Sequence, residues 1–99
     1  MSTEEGWGFA PPAFKPEEAL LRLRRALREL KLTERGTAFE LRGRRVAEAT
    51  IEGAVLQVKL AKRLALTPEF DRLTVASSAD LSKLITEAGR RLSRWEQDE

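Results

Sequence analysis

The residue types that carry most enzyme chemistry are missing from this chain of 99 residues. There is no Cys and no His, which excludes thiolate nucleophiles, disulfides, the commonest general base and the commonest metal ligand. Two acidic pairs, Glu17/Glu18 and Glu69/Asp71, could act as acid and base or bind a hard cation. The first pair has a simpler role at a helix start, and the second falls in a predicted turn. We therefore expect no enzyme, no cofactor and no metal site, with a carboxylate-dependent enzyme as the alternative.

The basic residues offer the one functional lead. Between Leu20 and Trp95 the chain carries 17 Lys and Arg against 9 Asp and Glu, although its net charge is only +2. Arginine binds phosphate through two parallel hydrogen bonds, so a cluster of these side chains would suit a nucleic acid. The candidate anion or nucleic-acid surface comprises eight residues: Arg22, Arg25, Arg28, Arg42, Arg44, Arg45, Lys62 and Arg63. Acidic residues interspersed on the same strands, and the lack of an exposed aromatic to stack a base, count against it.

The elements that would position these residues follow from the alternation of Thr37–Leu60. Apolar and polar residues alternate there, as in antiparallel strands with one buried face. A three-residue loop at Arg42-Gly43-Arg44 and a two-residue loop at Glu52-Gly53 divide the stretch into a three-strand meander.

These loops also predict a register for the meander. It sets Leu41 opposite Arg45, Phe39 opposite Ala47, Ile51 opposite Ala54, Ala49 opposite Leu56, and Ala47 opposite Val58. The odd positions Ala47, Ala49 and Ile51 then share the inner face with Leu56, Val58 and Leu60. Val46 and Val55 fall on the outer face.

Helical spacing flanks the meander on both sides. The first helix is predicted from Pro16 to about Leu32, followed by an exit loop at Thr33–Gly36. The second begins at a cap made by Ser77 and Asp80, and Gly89 within it is interpreted as allowing close approach to the sheet. Its apolar stripe consists of Leu81, Leu84, Ile85, Ala88, Leu92 and Trp95.

The segment between the meander and the second helix predicts one more strand. Lys62–Leu66 continues the extended pattern, and Thr67–Phe70 is typical of a cap and a single helical turn. Arg72–Ala76 is then a short strand that buries Leu73 and Val75. The expected fold is α+β: a two-layer sandwich with an N-terminal helix, a four-stranded antiparallel sheet and a C-terminal helix, both helices on one face.

The domain organisation predicted is an arm over residues 1–15 and a single domain over residues 16–99. Gly6, Gly8, Pro11 and Pro12 prevent a regular helix or central strand in the arm. Trp7, Phe9 and Phe14 either cover the edge of the core or dock on a partner or sister subunit.

No signal peptide or membrane-spanning run is visible, so the expected compartment is the cytoplasm. Low Asn, Gln and Cys with abundant Glu and Arg favours a thermophilic source. A small sheet covered by helices on one face leaves its other face or an edge open to association with another chain. We therefore expect a small non-enzymatic binding module that self-associates, for instance as a homodimer, or binds a protein partner. RNA or DNA binding through the Arg-rich surface is the alternative.

Overall fold

The computed structural model describes residues 14–65 and 67–97 as an antiparallel sheet with two helices. The strands neighbour one another in chain order from β1 to β5. This confirms the α+β class, but the sheet has five strands where four were predicted. Among the described residues, no helix is long and apolar enough to cross a bilayer. The elements are α1 (Pro16–Glu29), β1 (Thr33–Arg35), β2 (Ala38–Leu41), β3 (Arg44–Glu52), β4 (Val55–Ala61), β5 (Phe70–Val75) and α2 (Ser78–Gln97).

Helix α1 stops three residues before the predicted end because the chain closes a left-handed turn there. Lys31 has a φ of 73°, and the Leu32 N–H donates to the Leu27 carbonyl oxygen at 3.2 Å. The Lys31 N–H donates to the Arg28 carbonyl at 2.9 Å, which completes a Schellman motif. Lysine occupies the position where glycine is usual, so the sequence carries no stop signal. Leu27 and Leu32 are both buried, so the motif also packs into the core.

Strand β1 is the strand that sequence reasoning missed, since Thr33–Gly36 was expected to be a loop. Thr33 pairs with Glu40 and Arg35 pairs with Ala38. Gly36 has a φ of 60° in the turn between the two strands. Three consecutive polar residues offer no apolar alternation, so nothing in their pattern indicates a strand.

The turn between β2 and β3 has two residues, not three. Arg42 and Gly43 both have positive φ, 55° and 78°, as a type I′ hairpin turn requires. Leu41 therefore pairs with Arg44, so the predicted pairing with Arg45 is wrong.

A bulge in β3 restores the rest of the predicted register. The pairing shifts between Phe39 and Glu40, and the extra residue on the opposite strand is Val46. Phe39 consequently lies opposite Ala47, as expected. Val46 is only 1% exposed, which contradicts its predicted place on the outer face.

The second hairpin turns one residue later than predicted, at Gly53-Ala54. Ile51 pairs with Leu56, Ala49 with Val58 and Ala47 with Leu60, so the predicted partners are wrong by two residues. A shift of two preserves the face of every side chain. Five of the six predicted inner-face residues are buried, namely Ala47, Ala49, Leu56, Val58 and Leu60. The sixth, Ile51 beside the turn, is 40% exposed.

The segment after β4 also differs from expectation. Lys62–Ala65 leaves the sheet and Thr67–Glu69 forms no helical turn; Leu66 lies outside the described residues. The Lys62 N–H donates to the Glu69 carbonyl at 2.8 Å, so β5 begins at Phe70 instead of Arg72. Val75 is buried, as predicted, and Leu73 is half-buried.

The cap of α2 forms with one change of partner. Ser77 Oγ accepts a hydrogen bond from the Asp80 N–H at 3.1 Å. Asp80 Oδ2 accepts from the Ala76 N–H at 3.0 Å, not from Ser77 as in the usual capping box. The apolar stripe is buried throughout except for Ile85, which is half-buried.

Gly89→Ala is expected to raise the free energy of unfolding by about 0.5–1 kcal/mol, measured by urea unfolding followed by circular dichroism. No atom lies within 4 Å of the position a Cβ would take at Gly89, so the predicted close approach to the sheet is wrong. The matched control is Gly53→Ala, which places alanine at a φ of +62° and should destabilise. A lower free energy of unfolding in Gly89→Ala would contradict the open space around Gly89.

Candidate functional site

The register places most of the predicted basic surface at one end of the sheet, which we call the hairpin end because it holds the Arg42-Gly43 turn. β1 and β5 begin at this end and β4 stops there. α1 ends there too, since Leu30–Leu32 leads directly into β1. The topology therefore brings Arg28, Arg42, Arg44, Arg45, Lys62 and Arg63 to one end. Arg22 and Arg25 lie further back on α1.

Acidic neighbours offset part of this charge. Glu34 lies 2.6 Å from Arg24 Nε through Oε2 and 3.9 Å from Arg28 Nε through Oε1. Lys62 Nζ is 3.8 Å from Asp71 Oδ1. The interspersed carboxylates expected from the sequence therefore lie within ion-pair distance of Arg28 and Lys62.

The sheet face away from the helices is polar and mixed in charge. Its shallow hollow of about 420 Å³ is lined by Glu48, Thr50, Glu52, Gln57, Val58, Lys59 and Arg72. Thr74 Oγ1 donates to Gln57 Oε1 at 3.1 Å, and Glu48 lies opposite Lys59 in the ladder. These pairings satisfy the polar side chains of this solvent-facing side of the sheet, so the face offers little apolar area for docking.

The free edge of β5 is different, because half of its backbone groups point away from the sheet. The bond from the Lys62 N–H to the Glu69 carbonyl marks a hydrogen-bonded pair of the antiparallel ladder. Such pairs alternate along two strands, so Asp71, Leu73 and Val75 bond to β4. The N–H and C=O groups of the alternate residues, Phe70, Arg72 and Thr74, therefore face outward.

A groove of about 730 Å³ runs between this edge and α2. Its apolar lining residues are half-buried Leu73 and the buried Val75 and Leu84. Of its carboxylates, Asp80 caps α2, while Asp71 and Glu87 are held by Arg91. Lys83, Arg72 and Arg90 supply the positive charge along its length. We call this feature the β5–α2 groove; sequence reasoning missed it because it depends on how α2 lies beside the sheet edge.

Arg91 joins the two walls of the groove. Its Nη2 lies 2.8 Å from Asp71 Oδ2 on β5, and its Nε lies 2.8 Å from Glu87 Oε2 on α2. Nη1 donates to the carbonyl oxygens of Leu60 and Ala61, at 3.4 and 3.1 Å. Its side chain is 16% exposed. Burial opposes the charge, but the hydrogen bonds to both carboxylates leave the Arg91 pKa raised. The hydrogen bond from Arg91 lowers the pKa of Glu87.

The opposite sheet edge is less suited to a partner strand. β1 has only three residues, and two of them carry charge. Arg35 Nε lies 3.0 Å from Glu40 Oε1 on the neighbouring strand. Short, charged edges resist strand addition, so β5 is the edge on which an extended segment can bind.

Within residues 14–65 and 67–97, no group of three Asp or Glu side chains is arranged to hold a metal ion. No protein-family model matches the chain, and no curated protein and no solved structure matches it.

Proposed function

We propose that this chain is a non-enzymatic interaction module that binds an extended polypeptide segment along β5 and self-associates through that site. The supporting observation is the free edge of β5 beside an open groove. Outward N–H and C=O groups provide the ladder for an added strand, and the groove receives alternate side chains of that strand.

The other surfaces favour this assignment by contrast. The outer face is polar and cross-paired, and β1 is short and charged. β5 is longer, with six residues, and the inward-facing Asp71 in it is neutralised by Arg91. An uncovered edge of this kind is a template for another chain.

Thr74→Pro is expected to raise the dissociation constant of self-association at least about tenfold, since proline removes an outward N–H and blocks the added strand. The N–H of Thr74 faces away from β4, so the sheet's own ladder keeps its bonds. Light scattering and sedimentation velocity over a concentration series measure the change.

Thr74→Val is the matched control, because it also removes the hydroxyl that donates to Gln57 but keeps the backbone N–H. It should self-associate as the parent chain does. A parent chain that stays monomeric at high concentration would rule out self-association. Equal weakening by both variants would assign the effect to the side chain and overturn the strand-addition mechanism.

A second candidate function is nucleic-acid binding at the hairpin end, favoured by the six basic residues that the topology collects there. Fluorescence anisotropy with labelled RNA and DNA at two salt concentrations tests it, because phosphate contacts weaken steeply with salt. The informative variant is Arg45→Glu with Arg63→Glu, two exposed positions that do not line the β5–α2 groove. No binding at low salt would exclude this function.

A further inference from the structure

We propose that the segment bound in the β5–α2 groove is residues 1–13, the first part of the N-terminal arm, of a second copy of this chain. The inference rests on the proposed function and names its partner. Residues 1–13 lie outside the described part of the chain; their sequence and the geometry of the groove support the proposal.

The arm has the alternation that an added strand needs. In Glu5-Gly6-Trp7-Gly8-Phe9 the large side chains occupy odd positions and glycine the even ones. Along an extended segment, residues two apart share a face. Trp7 and Phe9 would therefore point together towards Leu73, Val75 and Leu84, whose apolar surface lines the groove. The glycines on the other face leave the polar side of the sheet unobstructed.

The charges of the arm and the groove are complementary. Residues 1–13 contain Glu4 and Glu5 and no Lys or Arg. Within the described residues, the groove carboxylates are already engaged by Arg91 and by the helix cap, whereas Lys83 lies exposed on α2. In an added strand, Glu5 would share the face of Trp7 and Phe9 and would point towards α2 and Lys83. Glu4 would point the other way.

The segment is long enough to cover β5, and its direction favours a second copy over the chain's own arm. The first ten residues, extended, span about 33 Å, more than the roughly 20 Å of a six-residue strand. α1 begins at the end of the sheet where β5 stops, so an arm folding back on its own domain would run parallel to β5. Parallel pairs are slightly less stable than antiparallel ones, and an arm from a second copy can run antiparallel.

The test is ¹⁹F NMR on the full-length chain labelled with 5-fluorotryptophan. The two tryptophans give two resonances, and buried Trp95 is the internal reference. We expect the Trp7 resonance to move with protein concentration, with the same dissociation constant as light scattering. Trp7→Ala should raise that constant roughly tenfold or more, as expected for a buried aromatic anchor.

Exchanging the charges of Glu5 and Lys83 tests whether these two side chains are in contact. Glu5→Lys and Lys83→Glu should each weaken self-association by up to about fivefold, and the double variant should regain most of the loss. Glu4→Lys is the matched control on the opposite face and should have little effect.

Failure of the arm as partner can be distinguished from failure of strand addition at β5. If Thr74→Pro weakens self-association but Trp7→Ala does not, strand addition at β5 stands and the arm is the wrong partner. A Trp7 resonance that shifts in Lys83→Glu but is independent of concentration would show the arm on its own domain, and the exchange between copies would be wrong. If neither variant changes self-association, both proposals fall.

Discussion

Phe39→Ala is expected to lower the free energy of unfolding by about 3–5 kcal/mol, the largest effect of any substitution considered. Phe39 is 1% exposed and belongs to the main core cluster. It lies opposite Ala47, directly beside the bulge that buries Val46. Alanine opposite alanine would leave a cavity that the bulged strand cannot close without losing its pairing. Urea unfolding monitored by circular dichroism measures the loss.

Phe70→Ala is the control, with the same chemical change on edge strand β5. Phe70 is half-buried, so the loss should be roughly 1–2 kcal/mol, in proportion to the smaller area removed from water. A domain of this kind has about 5–15 kcal/mol of stability in total. Phe39→Ala should therefore populate the unfolded state more readily than Phe70→Ala. Equal losses would contradict the central place of Phe39 in the core.

The second large effect is expected at Arg91. Arg91→Met keeps the aliphatic stem but removes every hydrogen bond of the guanidinium to Glu87, Asp71 and the carbonyls of β4. We expect a loss of about 2–3 kcal/mol, less than for a fully buried pair because Asp71 remains accessible to water. Arg91→Lys should recover only part of it, since an ammonium group cannot reproduce the planar fork.

The pH dependence separates the Glu87 contribution. The hydrogen bond from Arg91 lowers the pKa of Glu87 from its ordinary value. The stabilisation is therefore present above that ordinary value and is lost as the pH falls through the lowered pKa. The stability difference between the parent chain and Arg91→Met should therefore narrow in acid. A difference that stays constant from neutral pH to well below the ordinary glutamate range would show that Glu87 contributes nothing.

The sequence predicted side-chain faces more reliably than pairing partners. Ala49 and Val58 were placed on the correct face although their partners were wrong, because the burial of alternate residues is insensitive to a shift of two. The bulge at Val46 was not predicted, because it breaks the alternation on which parity reasoning depends. Strand β1 was not predicted either, because its stability comes from pairing with β2 and from the ion pairs of Glu34 and Arg35, not from an apolar pattern.

The candidate site was harder to predict from the sequence than the fold was. The sequence identified basic residues, and the topology shows that six of them share an end. The sequence alone could not identify the β5–α2 groove, because Leu73 and Leu84 lie eleven positions apart and meet only through packing of α2 beside the edge of β5. The outward backbone groups of β5 follow from its place as the last strand, which no residue type encodes.

The shared direction of α1 and α2 has an electrostatic consequence. Each helix carries a macrodipole whose negative end is its C-terminus. Both helices run away from the end of the sheet where β3 turns into β4, so both negative ends lie near the hairpin end. Arg28 and Arg94, the basic residues in the last turns, lie in that combined field. Part of the positive charge collected there therefore has a structural role, namely stabilising two aligned helix termini.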